Sequence, residues 1–267
     1  MENLYTYLNK PSGIDWDGHI HLFNSSKELP EYGIGQKVVG FMDLEYDRKN
    51  LNVVKSYERF IDKHYNNNII LLATGTTIED IKTIYEKYPK VIKGFGELKC
   101  YDEYLGEKVP YKKISFVRQV CKFSRSVGSL PVYLHWDIKD DSDVKKINLI
   151  LEDYPDVPLV LCHCGMCEGN ESFAFTQVCQ MMLSHNNLWV DISYTAMDFF
   201  KSHIMLLNQL HWDRVILGSD INQRLYVRNE DPQTKILTIQ MNYDILHTYM
   251  KGSFSNEKNI RNLFGNS

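Results

Sequence analysis

The chain has 267 residues, of which 43% are hydrophobic and 24% are charged, and its formal net charge is −4. This length fits one α/β barrel or two smaller domains, and the acidic balance argues against binding nucleic acid through bulk positive charge. No apolar run reaches the roughly 20 residues that span a bilayer, and the amino terminus lacks a basic segment followed by an apolar one. We therefore expect a cytoplasmic protein with no membrane partner.

Strand and helix patterns alternate along the whole chain. Short β-branched or continuously apolar runs predict strands, and helical spacing of apolar residues predicts the helices that follow them. Thr76 and Glu79 have the spacing of a capping box at the start of one helix. The predicted strands are Asp15–Leu22, Gln36–Met42, Asn68–Thr74, Val91–Leu98, Pro131–Trp136, Pro158–Cys164, Leu188–Ser193 and Arg214–Asp220. The predicted helices are Arg48–Tyr65, residues 78–88, Tyr111–Val127, Asp143–Tyr154, Phe173–Ser184 and Phe199–Leu210, with further helices from Lys235 onward.

Eight strands, each followed by a helix and with no linker between them, predict a single-domain (β/α)8 TIM barrel over residues 1–267. An open, doubly wound sheet is the alternative. That sheet would not place chemistry at the ends of strands one, four, five, six and eight together. In a TIM barrel the functional residues lie where strands end and the following loops begin. We therefore expect the site at the carboxyl ends of the strands.

Imidazole and carboxylate groups recur at these predicted strand ends. His19 and His21 are two residues apart on the first strand, so both side chains point to the same side of it. Each group alone has an ordinary structural explanation, but their coincidence at equivalent strand positions predicts a metal site. The predicted ligands are His19, His21, Glu97, His135, His163 and Asp220.

Imidazole nitrogen and carboxylate oxygen suit zinc, which is the expected metal, and also manganese, iron or nickel. Three or four such ligands leave a coordination position for water, whose pKa the metal lowers toward about 7. The hydroxide so formed needs a neighbouring group that accepts and returns its proton. Asp220 is the predicted catalytic base, and His163 is the second candidate.

The six cysteines are few for a disulfide framework at this length, and we interpret them as reduced thiols. Cys162, Cys164 and Cys167 lie close together, but no fourth thiol or histidine follows at the spacing of a structural zinc site. Cys162 and Cys164 flank His163 on a predicted strand. We therefore expect both to point toward the helix layer, as small buried residues.

Five segments carry a resemblance to a known group of enzymes. The segments GHIHLF, GFGELK, VYLHWD, LVLCHCG and ILGSDIN resemble the amidohydrolase superfamily of metal-dependent (β/α)8 hydrolases, over nearly the whole chain. Two branches compete. LVLCHCG, LWVDISY, RVILGSDIN and the closing NIRNLFG resemble the amidohydrolase-2 branch, which includes aminocarboxymuconate semialdehyde decarboxylase-like enzymes. The glutamate of GFGELK, with its spacing to the two later histidines, resembles the TatD-type deoxyribonucleases.

The two branches imply different numbers of metal ions. Resemblance to the decarboxylase-like enzymes implies one ion on His19, His21, His135 and Asp220, with His163 beside it. Resemblance to the TatD type implies two ions bridged by Glu97, with His19, His21 and Asp220 on one and His135 and His163 on the other. The presence of Glu97 favours two ions. The Cys-Gly-Met-Cys that follows His163 departs from the TatD pattern and argues against a nuclease.

Four further residues are predicted to bind substrate. Lys99 shares strand parity with Glu97, and Arg224 follows the last strand, so both could reach a phosphate or carboxylate. Trp136 follows His135, and Tyr194 follows the seventh strand, so both could wall a planar substrate. Two divalent ions bring four positive charges, whereas Glu97, Asp220 and one hydroxide bring three negative charges. The site would keep a net positive charge, which favours an anionic substrate.

These features together predict a metal-dependent hydrolase that acts on an ester, amide or phosphoester bond of a small molecule. The alternatives are a metal-dependent decarboxylase, a TatD-like deoxyribonuclease and, least favoured, a non-enzymatic binding barrel. Nucleic acid is disfavoured as a partner, and the sequence leaves the oligomeric state open.

Overall fold

A computed structural model describes residues 15–22, 37–42, 52–100, 103–104, 107–108, 113–166, 170–193, 211–218, 220, 244 and 254–265. Eight strands pair in parallel in the order in which they follow each other along the chain. The strands are β1 (Trp16–Leu22), β2 (Lys37–Met42), β3 (Ile69–Ala73), β4 (Ile92–Lys99), β5 (Val132–His135), β6 (Leu159–Leu161), β7 (Leu188–Asp191) and β8 (Val215–Ile216).

Two backbone hydrogen bonds join the end of the last strand to the first. The Gly18 amide donates to the Leu217 carbonyl, and the Asp220 amide donates to the His19 carbonyl, each at 2.9 Å. Gly218 permits this approach, because a Cβ atom there would lie 2.4 Å from the Cβ of His19. The sheet therefore closes on itself, which confirms the predicted TIM barrel.

Within the described residues, five helices follow strands β2 to β6, one after each strand, and a sixth lies near the carboxyl terminus. Asn52 and Asp140 cap two of them by accepting backbone N–H groups. The capping box of the second helix is formed by Thr77 and Asp80, one residue after the predicted pair. The helices are α1 (Val53–His64), α2 (Ile78–Lys87), α3 (Lys113–Ser126), α4 (Asp141–Asp153), α5 (Glu171–Ser184) and α6 (Asn256–Phe264).

Smaller elements complete the described chain. A two-stranded hairpin, Glu103–Tyr104 with Glu107–Lys108, lies between β4 and α3. Short 3-10 segments cover Cys162–Gly165 and Trp212–Arg214. The predicted helix Phe199–Leu210 lies outside the described residues. Within the described part of the chain, no helix has the length and apolar character needed to cross a membrane.

Alternating strand side chains divide the buried core into two layers. The outer cluster fills the space between the strands and helices α1 to α5. The inner cluster fills the barrel and is closed at the amino ends of the strands by α6, where Phe264 stacks on Tyr133. Its buried members are Trp16, Val39, Phe41, Ile70, Leu72, Tyr133, Val160, Cys162, Trp189, Ile216, Ile260 and Leu263.

Cys162 and Cys164 point to different layers, so the expectation that both face the helices is wrong for Cys162. Cys162 belongs to the inner cluster and Cys164 to the outer one. The reason is that Cys162 keeps the strand parity of Val160, which also belongs to the inner cluster. His163 and Cys164 then take left-handed backbone angles (φ 54° and 53°), so the strand alternation ends only after Cys162. Cys167 lies outside the described residues. The described cysteines, Cys100, Cys121, Cys162, Cys164 and Cys179, are buried free thiols.

The Asn256 side chain ties α6 to the seam between β1 and β8. Its Oδ1 accepts from the Leu217 amide (2.8 Å), and its Nδ2 donates to the carbonyls of Trp16 (2.7 Å) and Leu217 (2.9 Å). Only 4% of the residue is exposed. Its loss would therefore leave the buried Leu217 amide without this acceptor, and the Trp16 carbonyl without this donor, at the point where the barrel closes.

We predict that Asn256→Ala lowers the free energy of unfolding by about 3 kcal/mol, because each buried group left unpaired costs about 1–3 kcal/mol. Denaturant unfolding of metal-free protein in chelator measures this difference. Asn67→Ala, at an exposed turn before β3, is the control and should change stability by less than about 0.5 kcal/mol. Equal stability of Asn256→Ala and the unchanged protein would contradict the role of this side chain in closing the barrel.

Candidate metal centre

The fold brings all six predicted ligands together at the carboxyl end of the barrel. His19 and His21 both point inward from β1, with ring centres 5.4 Å apart. The ring of His163 lies 5.2 Å from that of His19 and 4.8 Å from that of His135. Glu97 and Asp220 lie among these rings.

Glu97 lies between two groups of histidines. Its Oε1 is 2.6 Å from His135 Nδ1 and 3.6 Å from His163 Nε2, whereas its Oε2 is 3.6 Å from His21 Nε2. The Lys99 ammonium also contacts Oε2. Because only 1% of the Glu97 side chain is exposed, its charge is balanced by these neighbours rather than by water.

Asp220 faces the two histidines of β1. Its Oδ1 is 3.1 Å from His21 Nε2 and 3.3 Å from His19 Nε2. Asp220 and His163 both have a left-handed backbone, with φ of 51° and 54°. This conformation is uncommon for residues other than glycine and concentrates at functional sites. Two of the predicted ligands are therefore held in place by unusual backbone geometry.

The charged groups of the site shift one another's pKa. Burial alone would raise the pKa of Glu97, but Lys99 and His135 hold it well below its usual range. Burial alone would lower the pKa of His135, but Glu97 raises it above the ordinary value for histidine. The carboxylate of Glu97 is thus kept ionised at the centre of the cluster.

Asp191 and Ser193 also belong to this site, although the ligand prediction omits them. The Asp191 carboxylate contacts His19 Nδ1, and although burial alone would lower the pKa of His19, Asp191 raises it well above its ordinary value. Ser193 Oγ lies 2.9 Å from His163 Nδ1. Asp191 ends the seventh strand and Ser193 shares its face, so the strand-end criterion that selected the other residues would have found both.

The chemistry of the described residues fits a divalent metal ion. Three buried carboxylates, Glu97, Asp191 and Asp220, accompany the ammonium of Lys99, so the cluster has an excess of negative charge. Buried negative charge of this kind requires cations or protons. The groups whose ligand atoms lie within 4.8 Å of one another include His19, His163 and Asp220; His19, His21 and Glu97; and Glu97, His135 and His163.

The structure places two of the four predicted substrate-binding residues, Lys99 and Trp136, in different surroundings. Lys99 lies in the site, and 27% of its side chain is exposed. Trp136 does not line the site, which corrects the prediction: it is fully buried in the outer cluster, and its indole N–H donates to Asp143 Oδ1 (3.1 Å). It follows the inward-pointing His135 and therefore faces the helices. Tyr194 and Arg224 lie outside the described residues.

Comparison with known sequences supports the resemblance to amidohydrolases. Residues 129–226 match a sequence family described as Amidohydrolase, and this segment includes His135, His163 and Asp220. The match confirms the amidohydrolase resemblance that the motifs predict. A comparison with curated proteins finds no match.

Several solved structures share the fold. A dihydroorotase from Campylobacter jejuni has a TM-score of 0.55 and 13% identity, over 95% of this chain and 81% of that chain. An amidohydrolase from Burkholderia multivorans with bound zinc has a TM-score of 0.57 and 11% identity, over 95% and 96%. A TatD family hydrolase from Entamoeba histolytica has a TM-score of 0.58 and 13% identity, over 95% and 99%. At these identities the likeness shows a common barrel spanning nearly the whole chain.

We predict that protein purified without chelator carries one to two equivalents of divalent metal, because the ligand atoms converge. Since the two oxygens of Glu97 face different histidines, Glu97→Gln should lose one equivalent. Elemental analysis measures both values. His185→Ala is the control, because His185 lies outside the cluster and pairs with Asn148. Protein that holds no metal and takes up neither zinc nor manganese would contradict the metal centre, and unchanged stoichiometry in Glu97→Gln would contradict a bridging role.

Proposed function

We propose that this protein is a metal-dependent hydrolase of the amidohydrolase type, which uses an activated water to cleave an ester, amide or phosphoester bond of an anionic small molecule. The observation that carries the proposal is the buried cluster in which Glu97 and Asp220 face four histidines. The family match and the barrel fold support it. The buried free thiols are in keeping with a cytoplasmic enzyme.

His19, His21 and Asp220 would hold one divalent ion, and His135 and His163 would hold a second, with Glu97 between the two. The separate directions of the two Glu97 oxygens support this arrangement over a single ion. The donor set suits zinc, with manganese as the second choice. A bound ion supplies Lewis acidity and lowers the pKa of a coordinated water.

Asp220 is the residue proposed to accept the proton of the attacking water and to return it to the leaving group. Asp220 is more open than Glu97 and Asp191, with 12% of its side chain exposed against 1% and none. Asp137, whose Oδ1 lies 3.5 Å from His135 Nε2, is more exposed (22%) but faces only that histidine, whereas Asp220 faces both histidines of β1. Asp220 can therefore reach water and substrate. His163 is the second candidate, but its Nδ1 is already engaged by Ser193, which leaves only Nε2 for this role.

Lys99 is proposed to favour an anionic substrate. Its ammonium contacts the buried Glu97 and remains partly exposed at the open side of the cluster. A carboxylate or phosphate on the substrate can share this charge, as lysine binds such groups as a point charge. Cleavage of nucleic acid is less favoured, because the chain is acidic overall and a phosphate backbone needs a basic track.

We predict that Asp220→Asn keeps the fold and lowers turnover by about 100-fold or more, because the amide cannot accept the proton. Activity and metal content are measured on the same sample, so that loss of metal is separated from loss of the base. Asp213→Asn, at an exposed residue of the 3-10 segment before β8, is the control and should keep full turnover. Full turnover in Asp220→Asn would assign the base role to His163.

A substrate screen tests the anionic preference. Phosphomonoesters, phosphodiesters, lactones, N-acyl amino acids and short single-stranded DNA are assayed with zinc and with manganese, and carbon dioxide release tests the decarboxylase alternative. We predict that carboxylate- or phosphate-bearing substrates are preferred and that Lys99→Ala weakens this preference by about 10-fold or more. Lys93→Ala, near the other end of β4, is the control. Preference for neutral esters that Lys99→Ala leaves unchanged would contradict the proposal.

A further inference from the structure

We infer that Asp191 and Ser193 are positioning residues, which hold the rings of His19 and His163 with the proton on Nδ1 and so direct Nε2 of both rings into the metal centre. The part of this inference that concerns metal binding rests on the proposed function. The part that concerns which ring nitrogen carries the proton does not, and we call it the geometric part. Both residues lie at the end of β7 and are fully buried, so neither can touch a substrate directly.

The partner of His163 decides which of its nitrogens carries the proton. His163 Nδ1 lies 3.1 Å from the backbone carbonyl oxygen of Ser193 and 2.9 Å from its Oγ. A carbonyl oxygen can only accept a hydrogen bond. The neutral ring must therefore carry its proton on Nδ1, which leaves the lone pair on Nε2, the atom that faces Glu97 Oε1 at 3.6 Å.

His19 is oriented in the same way by a carboxylate. Asp191 Oδ2 contacts His19 Nδ1, and the other oxygen, Oδ1, accepts from the Ser193 amide at 2.7 Å. Because an ionised carboxylate only accepts, His19 must donate from Nδ1. Its Nε2 lone pair then faces Asp220 Oδ1 at 3.3 Å. A nitrogen lone pair and a carboxylate oxygen at this distance repel each other unless a cation or proton lies between them.

The same contact excludes a competing site. The ligand atoms of His19, Cys162 and Asp191 also lie within 4.8 Å of one another. In that group Asp191 Oδ2 already contacts His19 Nδ1, whereas Nε2 of His19 faces Asp220 Oδ1 at 3.3 Å. Asp191 thus assigns His19 to the centre shared with Asp220.

The geometry also separates the two roles along one short segment. Asp191 acts through its side chain on His19, whereas Ser193 acts on His163 through a backbone carbonyl as well as its hydroxyl. The same hydroxyl lies 3.3 Å from His19 Nδ1, a longer contact than the one with His163. Removal of the Ser193 hydroxyl leaves the carbonyl in place. Asp191→Ala should therefore have a larger effect than Ser193→Ala, and Asp191→Asn should restore part of the loss, because the amide oxygen can still accept from Nδ1.

Two measurements test the inference. The first is 15N NMR of histidine-labelled, metal-free protein at a pH where the rings are neutral, and we expect His19 and His163 to carry their protons on Nδ1. The second is zinc affinity by competition with a chromophoric chelator. Asp191→Ala should weaken binding by about 10- to 100-fold, as for other groups that orient ligand histidines. Asp191→Asn should weaken it less, and Ser193→Ala least.

The control is Asp143→Asn, since Asp143 is buried and accepts from Trp136 but lies away from the ligands. It should leave zinc affinity unchanged. Protonation of the neutral His19 ring on Nε2, or the same zinc affinity in folded Asp191→Ala as in the unchanged protein, would overturn the inference. If the unchanged protein binds no metal, the proposed function fails, and the tautomers still decide the geometric part. If Asp191→Ala does not fold, the ring tautomers of the unchanged protein and the zinc affinity of Asp191→Asn decide the inference.

Discussion

The two backbone hydrogen bonds between β1 and the end of β8 are the constraint on which the candidate metal centre depends. They bring the Asp220 amide to the His19 carbonyl, and so they place two candidate ligands side by side although these are separated by most of the chain. Gly218 is needed for this approach because any Cβ atom there would meet His19. Helix α6 secures the same seam from the opposite end of the barrel through Asn256. Closure of the barrel and assembly of the site are therefore one event.

The second constraint is electrostatic. Glu97 is buried with a pKa held well below its usual range, because Lys99 and His135 offset the effect of burial. Its two oxygens face different histidines, so a single side chain connects the ligands of β1 with those of β5 and the segment after β6. Removing any one partner would leave a buried charge uncompensated. Cations at this position would relieve the excess of negative charge and stabilise the fold as well as supply chemistry.

Residues at the end of strand β7 support the histidines of the site. It contributes no predicted ligand, yet Asp191 and Ser193 contact His19 and His163, which come from two other parts of the barrel. Histidine ligands need a hydrogen-bond partner on the nitrogen that does not bind metal, because that partner fixes both the proton and the ring plane. The barrel supplies these partners from a neighbouring strand end, where rigid backbone places them more accurately than a loop could.

The sequence by itself determined the barrel and indicated which imidazole and carboxylate groups gather at one end of it. The alternation of apolar strands and amphipathic helices specifies the parallel sheet, and strand parity places His19, His21 and His135 on the inner face, since successive side chains alternate sides. The same parity, applied to the residue after His135, would have placed Trp136 outward. Only the tertiary structure decided the rest. Cys162 points inward with Val160, against expectation, and the left-handed backbone at His163 and Cys164 breaks the strand alternation, so the ring of the next residue, His163, also reaches the site. The contacts of Asp191 and Ser193 with histidines of other strands depend on which strand ends become neighbours when the barrel closes, a long-range relation that no local pattern encodes.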